Sequence, residues 1–287
     1  MCGSNSSNFQ LLGKRLNRSQ GFYPNKMSGI TVSVCKCKKC GLIFSNPLPI
    51  PESFMDHYGL PPGEYWQEEY FDVQPDYFSG EIDWLKQLIN SGHGTKALDV
   101  GAGIGKCMRV LERNGFDVYG LEPSEPFYNM AVGQMKIDPG HIYPTSIEEA
   151  DLPENFFSFI TFGAVLEHLN DPAGAIERSL QWLKKDGIIH IEVPSSRWLI
   201  SRLINRFYKI RGLDYSGNLS PMHPPFHLYE FSIESFEENS KKLNYSIADY
   251  GYYVGKTYMP GIIDFFIKPY MKWTNSGMQL VVWLKKN

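Results

Sequence analysis

Three closely spaced glycines preceded by an acid form the strongest chemical signal in the chain. Residues 98–105 read Leu-Asp-Val-Gly-Ala-Gly-Ile-Gly, between an apolar strand pattern and a helical pattern. Glycines permit a tight turn and let the backbone approach a ligand closely. In α/β proteins such a loop lies at the switch point of the sheet, where ligands bind. The run therefore predicts a cofactor site at the start of a helix.

The residues around this loop distinguish between two nucleoside cofactors. A dinucleotide loop carries a third glycine where Lys106 stands, and its helix N-terminus faces a diphosphate. Asp99 precedes the first glycine by two residues, and a carboxylate there would repel a diphosphate but attract the ammonium of a methionine moiety. Glu122 follows Gly105 by 17 residues, at a strand end where an acid accepts hydrogen bonds from ribose hydroxyls. We therefore predict S-adenosylmethionine, and not NAD, as the cofactor.

Histidines in the second half of the chain are the candidate bases. Transfer of a methyl group to a hydroxyl needs a proton acceptor, and histidine titrates near neutral pH. His168 follows a strand pattern, and Glu167 beside it is placed to orient the imidazole. His223 and His227, in PMHPPFHLYEF, are further candidates for the same cleft. The alternative for each histidine is a packing or surface role.

Four of the five cysteines lie within the first 40 residues. Cys35, Cys37 and Cys40 are too closely spaced for a disulfide framework, and such a cluster is typical of a metal site in a reducing compartment. The alternative is a small ribbon held by packing without a metal.

Bulk composition excludes several classes of function. The net charge is −3, so no global basic field favours nucleic acid, and we expect no nucleic-acid partner. The N-terminus lacks the apolar core of a signal peptide, and no apolar run approaches the ~20 residues that span a bilayer. We therefore expect a cytoplasmic protein.

Alternating strand and helix patterns predict the fold. Strand patterns lie at 96–100, 117–121, 157–164 and 187–193, and helical patterns at 81–90, 106–114, 125–135 and 171–183. Such alternation is typical of parallel strands with crossover helices on both faces. We predict a doubly wound, seven-stranded, mostly parallel sheet whose last strand, at 279–284, is antiparallel.

Changes in composition divide the chain into regions. We predict a Cys-bearing module at 1–50, a Tyr- and Pro-rich connector at 51–80, and a cofactor-binding domain at 81–287 with an insert at 196–226. Within the insert, residues 197–211 carry five basic and no acidic residues, with apolar residues at helical spacing. We favour a lid helix whose apolar stripe packs on the domain. The alternative is contact of a basic helix with an anionic membrane surface or an acidic substrate. The aromatic stretch at 262–273 is a candidate for the wall of the same acceptor pocket, and a lipid-linked or phosphorylated acceptor is favoured if both segments face outward.

Together these motifs resemble the class I S-adenosylmethionine-dependent methyltransferases. The glycine run is similar to their first motif, Glu122 to their ribose acid, and residues 145–160 and 162–172 to their third- and fourth-strand regions. The resemblance implies that the cofactor is bound by Asp99, Gly101, Ala102, Gly103, Glu122, Pro123, Ser146, Ile147, Phe162 and Gly163. It departs at Ser146, where many members carry an Asp that binds the adenine amino group. Metal-dependent relatives carry a carboxylate where Ala164 stands, so we expect no catalytic metal at this loop.

The N-terminus resembles a bacterial subset that carries a zinc-ribbon-like module and modifies sugars and natural products. Segments 2–4 and 37–41, followed by Asn46-Pro47, are similar to that module, which implies structural zinc held by Cys2, Cys35, Cys37 and Cys40. We therefore expect methyl transfer to a small-molecule acceptor: a sugar, nucleotide-sugar or glycan-related metabolite, sugar-linked or lipid-linked, with O-methylation favoured. The alternatives are an NAD(P)-dependent sugar-modifying enzyme and a catalytically inactive cofactor-binding scaffold.

Overall fold

The computed structural model describes residues 1–16, 31–48, 72, 74, 76–89, 92–216, 227–255, 257 and 259–287. Most of the expected connector at 51–80, and the candidate base His223, lie outside these residues.

Eleven strands are found in the described part of the chain. They are β1 (Phe9–Leu16), β2 (Thr31–Cys37), β3 (Ile43–Asn46), β4 (Thr95–Val100), β5 (Phe116–Leu121), β6 (Ile142–Tyr143), β7 (Phe157–Gly163), β8 (Leu183–Pro194), β9 (Tyr229–Glu230), β10 (Tyr245–Tyr253) and β11 (Gln279–Lys286).

The α-helices of the same residues are α1 (Ser79–Leu88), α2 (Lys106–Arg113), α3 (Glu125–Gly133), α4 (Pro172–Trp182), α5 (Leu199–Ile210), α6 (Ile233–Ser240) and α7 (Gly261–Trp273). Short 3-10 turns lie at Ser6–Asn8 and Leu166–His168. Local sequence explains where α4 begins, because Asp171 accepts a hydrogen bond from the Gly174 N–H at 3.0 Å and Pro172 occupies the first turn.

The large sheet has the order β10-β11-β8-β7-β4-β5-β6. Strands β6, β5, β4, β7 and β8 are parallel, and β11 runs antiparallel between β8 and β10. This topology confirms the predicted seven-stranded, mostly parallel fold with an antiparallel last strand. The two-residue strand β6 has no counterpart in the sequence prediction, because it is too short to show a hydrophobic period.

The apolar strands are buried on both faces, as a parallel sheet covered by helices requires. Leu98 and Val100 of β4 join one core cluster, and Ala97 joins the other, because successive side chains point to opposite faces. The second cluster also contains Leu85 of α1 and Leu111 of α2. These two layers hold the carboxyl end of β4 in place, and the glycine loop begins there.

The N-terminal Cys segment forms a small antiparallel sheet that packs against the main domain. Its order is β1-β2-β3-β9, so its fourth strand comes from residues that follow the insert. The hydroxyls of Ser232 and Ser235, at the start of α6, both donate to the Cys40 carbonyl at 3.0 and 2.8 Å. Cys37 and Cys40 belong to the same core cluster as Leu98. The hydrophobic core therefore runs continuously from this sheet into the main domain.

Helix α5 does not bury the apolar stripe that we expected to pack as a lid. Of its residues only Ile200 and Ser201 are buried, whereas Leu203, Phe207 and Ile210 are 48%, 56% and 75% exposed. The sequence period predicted an amphipathic helix correctly, but a period does not reveal which face meets the domain.

Helix α7 is exposed to a similar extent. Only Met271 is buried, and its exposed apolar residues are Ile262, Ile263, Phe265, Phe266, Tyr270 and Trp273. No helix among the described residues is both long enough and apolar enough to cross a membrane.

Candidate functional site

The glycine loop connects the end of β4 to the start of α2. Gly101, Gly103 and Gly105 have φ of 69°, 56° and 82°, a left-handed region that favours glycine. The N–H groups of Gly101 and Ala102 donate to the Leu121 carbonyl at 2.8 and 2.9 Å, which joins the loop to β5. At Gly101 a Cβ would lie 2.5 Å from Val165 Cγ2. Any side chain there would therefore displace the loop that follows β7.

Asp99 is a buried carboxyl group next to this loop. It is 4% exposed and lines a cavity of about 280 Å³ together with Gly101 and Ala102. Burial, together with the nearby Glu122 carboxylate, raises the pKa of Asp99 to about 8. A ligand ammonium in the cavity would favour the ionised form, and this is the partner that the sequence predicted for Asp99.

Glu122 holds the loop from the end of β5. Its Oε2 accepts a hydrogen bond from the Gly103 N–H at 2.7 Å, and its Oε1 accepts from the Ser124 N–H at 2.8 Å. Burial raises the pKa of Glu122 to about 7, although these two hydrogen bonds oppose the shift. Each carboxylate oxygen has a further lone pair, so ribose hydroxyls can still bind. Pro123 separates this acid from Ser124, the residue that precedes α3.

Ser146 and Ile147, which we expect beside the adenine of the cofactor, follow β6 at the same edge of the sheet. The Glu122 N–H donates to the Tyr143 carbonyl at 3.0 Å, so β5 and β6 end side by side. Ser146 begins a turn in which its carbonyl accepts from the Ala150 N–H at 2.9 Å. Ile147 is 3% exposed and belongs to the core. Ser146 and Thr145 are partly exposed, and Glu148 is exposed, so this turn presents polar side chains at its surface.

The structure separates two neighbouring residues that we expected at the methionine end of the cofactor. Gly163 lines the cavity, but the Phe162 side chain is fully buried in the opposite core cluster. Thr161 and Gly163 face the cavity because alternate residues of β7 share a face, which turns Phe162 away from it. The Phe162 side chain is therefore not part of the cavity wall.

Sequence reasoning missed several cavity residues. They are Tyr77, Phe78, Glu81, Ile104, Lys106, Cys107, Glu192, Tyr253, Gln279 and Val281. Burial raises the pKa of Glu192, and the nearby Glu81 raises it further. Glu192 had a readable signal, since it is the one acid in the apolar strand segment 187–193. Tyr253 and Gln279 had none, because only the pairing of β10 with β11 brings them to this edge.

Glu167, His168 and His227 form a compact cluster beyond the end of β7. His168 Nε2 lies 4.0 Å, and His227 Nε2 3.9 Å, from Glu167 Oε1. The two imidazole centroids are 4.5 Å apart, and the Leu228 N–H donates to the Glu167 carbonyl at 2.8 Å. Burial, with a smaller effect of Glu192, raises the pKa of Glu167 to about 8. The structure therefore unites three of the four candidate catalytic residues.

A second cluster contains three of the four candidate zinc ligands. The thiols of Cys2, Cys37 and Cys40 lie within 4.8 Å of one another, and all three residues are buried. Although burial opposes it, hydrogen bonds with Ser4 and with the two other thiols lower the pKa of Cys2 to about 7. Burial raises that of Cys40 to about 12.

Cys35 lies outside this cluster, which corrects our expectation that it would be the fourth thiolate. The thiols that lie within 4.8 Å of one another in the described residues are those of Cys2, Cys37 and Cys40, and the Cys35 thiol is not among them. Burial raises the pKa of the Cys35 thiol, and a hydrogen bond with Asn46 opposes the rise.

The strand order and the acid-flanked glycine loop define the class I methyltransferase fold. The chain belongs to the methyltransferase domain family, whose model matches residues 76–249, more than half of the chain.

Curated relatives match a shorter stretch. The ubiquinone biosynthesis O-methyltransferase of Bradyrhizobium diazoefficiens is 29% identical over 114 residues, which cover 38% of this chain and 44% of the relative. That of Rhodopseudomonas palustris strain HaA2 is 25% identical over 162 residues, 53% of this chain and 63% of the relative. The chain thus spans about half the length of the curated relatives it matches.

Solved structures support the fold. A Mesorhizobium loti S-adenosylmethionine-dependent methyltransferase is 14% identical with a TM-score of 0.50, over 72% of this chain and 97% of that one. The cyclase SpnF is 18% identical with a TM-score of 0.51, over 80% of this chain and 87% of that one. At these identities the likeness is one of fold alone. A cyclase among the neighbours means that the reaction must be argued from the site.

Proposed function

We propose that this chain transfers a methyl group from S-adenosylmethionine to a hydroxyl of a small-molecule acceptor. The single observation that carries the proposal is the buried Asp99 carboxyl, which opens into a cavity beside Gly101 and Ala102. Such a group favours a ligand with a positive end, which S-adenosylmethionine has and the diphosphate of NAD lacks. The loop from Gly101 to Gly103 and Pro123, with Glu122 on the ribose and Ser146 and Ile147 beside the adenine, would hold the nucleoside.

The acceptor side of the proposal rests on the residues that line the rest of the cavity. Gly163, Glu192 and Tyr253 surround the space beside Asp99. Glu167 follows Gly163 by four residues, and His168 and His227 lie beside Glu167. In such an arrangement the cofactor sulfonium and the acceptor oxygen are held in line for displacement, which is the main catalytic contribution in methyl transfer. The acceptor hydroxyl releases its proton toward the cluster of Glu167, His168 and His227. The names of the curated relatives favour oxygen as the methylated atom.

We place the acceptor among glycan-related metabolites carried on a lipid, at the surface of an anionic membrane. Helix α5 presents exposed Phe207 and Ile210 beside basic side chains, and α7 presents exposed Phe265, Phe266 and Trp273. Apolar side chains flanked by lysine and arginine fit the interface of an anionic bilayer. Both helices adjoin the same edge of the main sheet, because the Leu199 N–H donates to the Ser276 carbonyl at 3.1 Å.

The three-thiol cluster supplies three of the four ligands of a structural zinc ion. Cys2, Cys37 and Cys40 supply three soft, buried ligands in the small sheet. Among the described residues this group contains no fourth protein ligand. A bound zinc ion would link Cys2, near the N-terminus, to the turn that contains Cys37 and Cys40. Hydrogen bonds from Ser232 and Ser235 to the Cys40 carbonyl already hold this turn against α6.

Calorimetry tests the cofactor assignment. S-adenosylhomocysteine should bind the purified chain in the micromolar range, and NAD should not bind at millimolar concentration. Binding of NAD in place of S-adenosylhomocysteine would support an oxidoreductase and overturn the proposal. Tight binding of the nucleoside with no methyl transfer to any hydroxyl acceptor would support an inactive scaffold.

Vesicle sedimentation tests the membrane assignment. The chain should pellet with phosphatidylglycerol vesicles, release with added salt, and ignore phosphatidylcholine vesicles. Phe265→Ser combined with Phe266→Ser should abolish pelleting, whereas Leu11→Ser, at an exposed residue outside both helices, should not. Equal binding to both lipids, or a dimer that loses its contact in the double variant, would contradict this assignment.

A further inference from the structure

Glu167, His168 and His227 bring one carboxylate and two imidazoles together, with their ligand atoms within 4.8 Å of one another. The two Nε2–Oε1 separations of 4.0 and 3.9 Å exceed the 2.7–3.2 Å range of an N–H···O hydrogen bond. Two ligand atoms bound to one tetrahedral Zn²⁺ at ~2.0–2.1 Å lie roughly 3.4 Å apart. The observed separations are therefore close to those of ligands around a common ion, and a small inward movement completes the site.

One ligand atom of the cluster also lacks a partner. Glu167 is 1% exposed, and its Oε2 has no hydrogen-bond partner among the described residues. The imidazoles of His168 and His227, whose side chains are 12% and 17% exposed, both approach the other oxygen, Oε1. A buried polar oxygen without a partner is costly, and a bound metal ion would supply one.

From this geometry we infer that Glu167, His168 and His227 form a binding site for a divalent transition-metal ion of the Zn²⁺ class. Two imidazoles and one carboxylate are the ligand set of catalytic zinc and of non-haem iron sites, which keep positions open for a substrate. Mg²⁺ prefers oxygen ligands and is disfavoured by two imidazoles. We expected no metal at this loop because Ala164 offers no carboxylate. The structure brings a further ligand, His227, from a different segment of the chain.

The role of the ion rests on the proposed function, whereas its binding does not. An acceptor hydroxyl at an open position would lose its proton to solvent more easily, since a bound cation lowers the pKa of a coordinated O–H. The resulting oxyanion would use its lone pair to form the O–C bond. The S–C bond of the cofactor would break with its electrons on sulfur, which yields neutral S-adenosylhomocysteine.

Cobalt spectroscopy on the full chain tests the site and separates it from the thiol cluster. In a Cys37→Ser variant, which weakens the thiol cluster, one equivalent of Co²⁺ should bind without a thiolate-to-metal charge-transfer band. Glu167→Gln or His227→Asn added to that background should remove this equivalent. His141→Asn is the matched control, because His141 lies 3.3 Å from Asp117 and 3.4 Å from Asp138 but is a surface group.

The test has a second arm that does not depend on variants folding. In the wild-type chain, paramagnetic Co²⁺ should shift the imidazole proton resonances of His168 and His227 before those of His141. Equal shifts of all three, or Co²⁺ binding that survives Glu167→Gln, would overturn the inference. Because these readouts need no methyl transfer, a failed metal site and a failed methyltransferase assignment give different results.

Discussion

The two halves of the cleft are built in different ways. The cofactor half is made from a short stretch of chain, in which Asp99 and Gly101 lie two residues apart and the Gly103 N–H is fixed by Glu122. The proposed acceptor half combines cavity residues of β7, β8 and β10 with the cluster that contains His227, and these segments are distant in the chain. A shared cofactor can be held by a compact motif, whereas an acceptor site must be adapted by side chains from many elements. The comparison predicts that substitutions in one half should leave the other half intact.

The largest expected effect lies in the acceptor half. His227→Asn should lower kcat on the order of 10³-fold, because it removes a group from the cluster beside the acceptor. The affinity for S-adenosylhomocysteine should change less than twofold. Steady-state kinetics and calorimetry on the same preparation check both values, and a parallel loss of affinity would show that the halves are not separate.

The next effect lies in the cofactor half. Gly101→Val should weaken S-adenosylhomocysteine binding about 100-fold, since the new side chain would overlap Val165 and occupy a left-handed conformation. Gly133→Ala is the matched control, because no atom lies within 4 Å of its added Cβ. Adding Val165→Ala should restore part of the affinity by relieving the overlap. If Gly101→Val bound normally, the backbone of the loop would not be contacting the cofactor.

A smaller effect concerns the charge of Asp99. Asp99→Asn should weaken S-adenosylhomocysteine binding roughly 10- to 100-fold, because it removes the partner of the ligand ammonium. In the unliganded chain burial raises the pKa of Asp99 to about 8, so binding of a cationic group should release a proton. Wild-type affinity should therefore rise between pH 6 and pH 8, by at most tenfold per unit.

Calorimetry across this pH range checks the proton release. The pH dependence should be reduced in Asp99→Asn, and the slope that remains should come from Glu122, whose pKa is raised to about 7 by burial. An identical pH profile in the wild type and the variant would remove Asp99 from the cofactor site.

The smallest expected effect distinguishes the two faces of β7. Phe162→Leu should destabilise the fold by about 1 kcal/mol, because its ring is fully buried in the core cluster. S-adenosylhomocysteine affinity should remain within twofold of wild type, since the ring faces away from the cavity. Thermal unfolding with and without ligand checks this. A selective loss of affinity would instead return Phe162 to the cofactor site.

The sequence by itself determined the sheet, the glycine loop and the amphipathic period of α5. These features depend on neighbouring residues: apolar runs define buried strands, glycines permit left-handed turns, and helical spacing defines a face. Predicted bounds such as 157–164 and 106–114 agree with β7 and α2 within one residue at each end.

Only the tertiary structure decided which of these residues meet. It brought His227 to Glu167, left Cys35 outside the thiol cluster, turned Phe162 from the cavity and exposed the apolar face of α5. Each outcome depends on how distant segments pack and on which face of an element is covered. The sequence records the period of a strand or helix locally, but the face that meets the domain is set by long-range contacts.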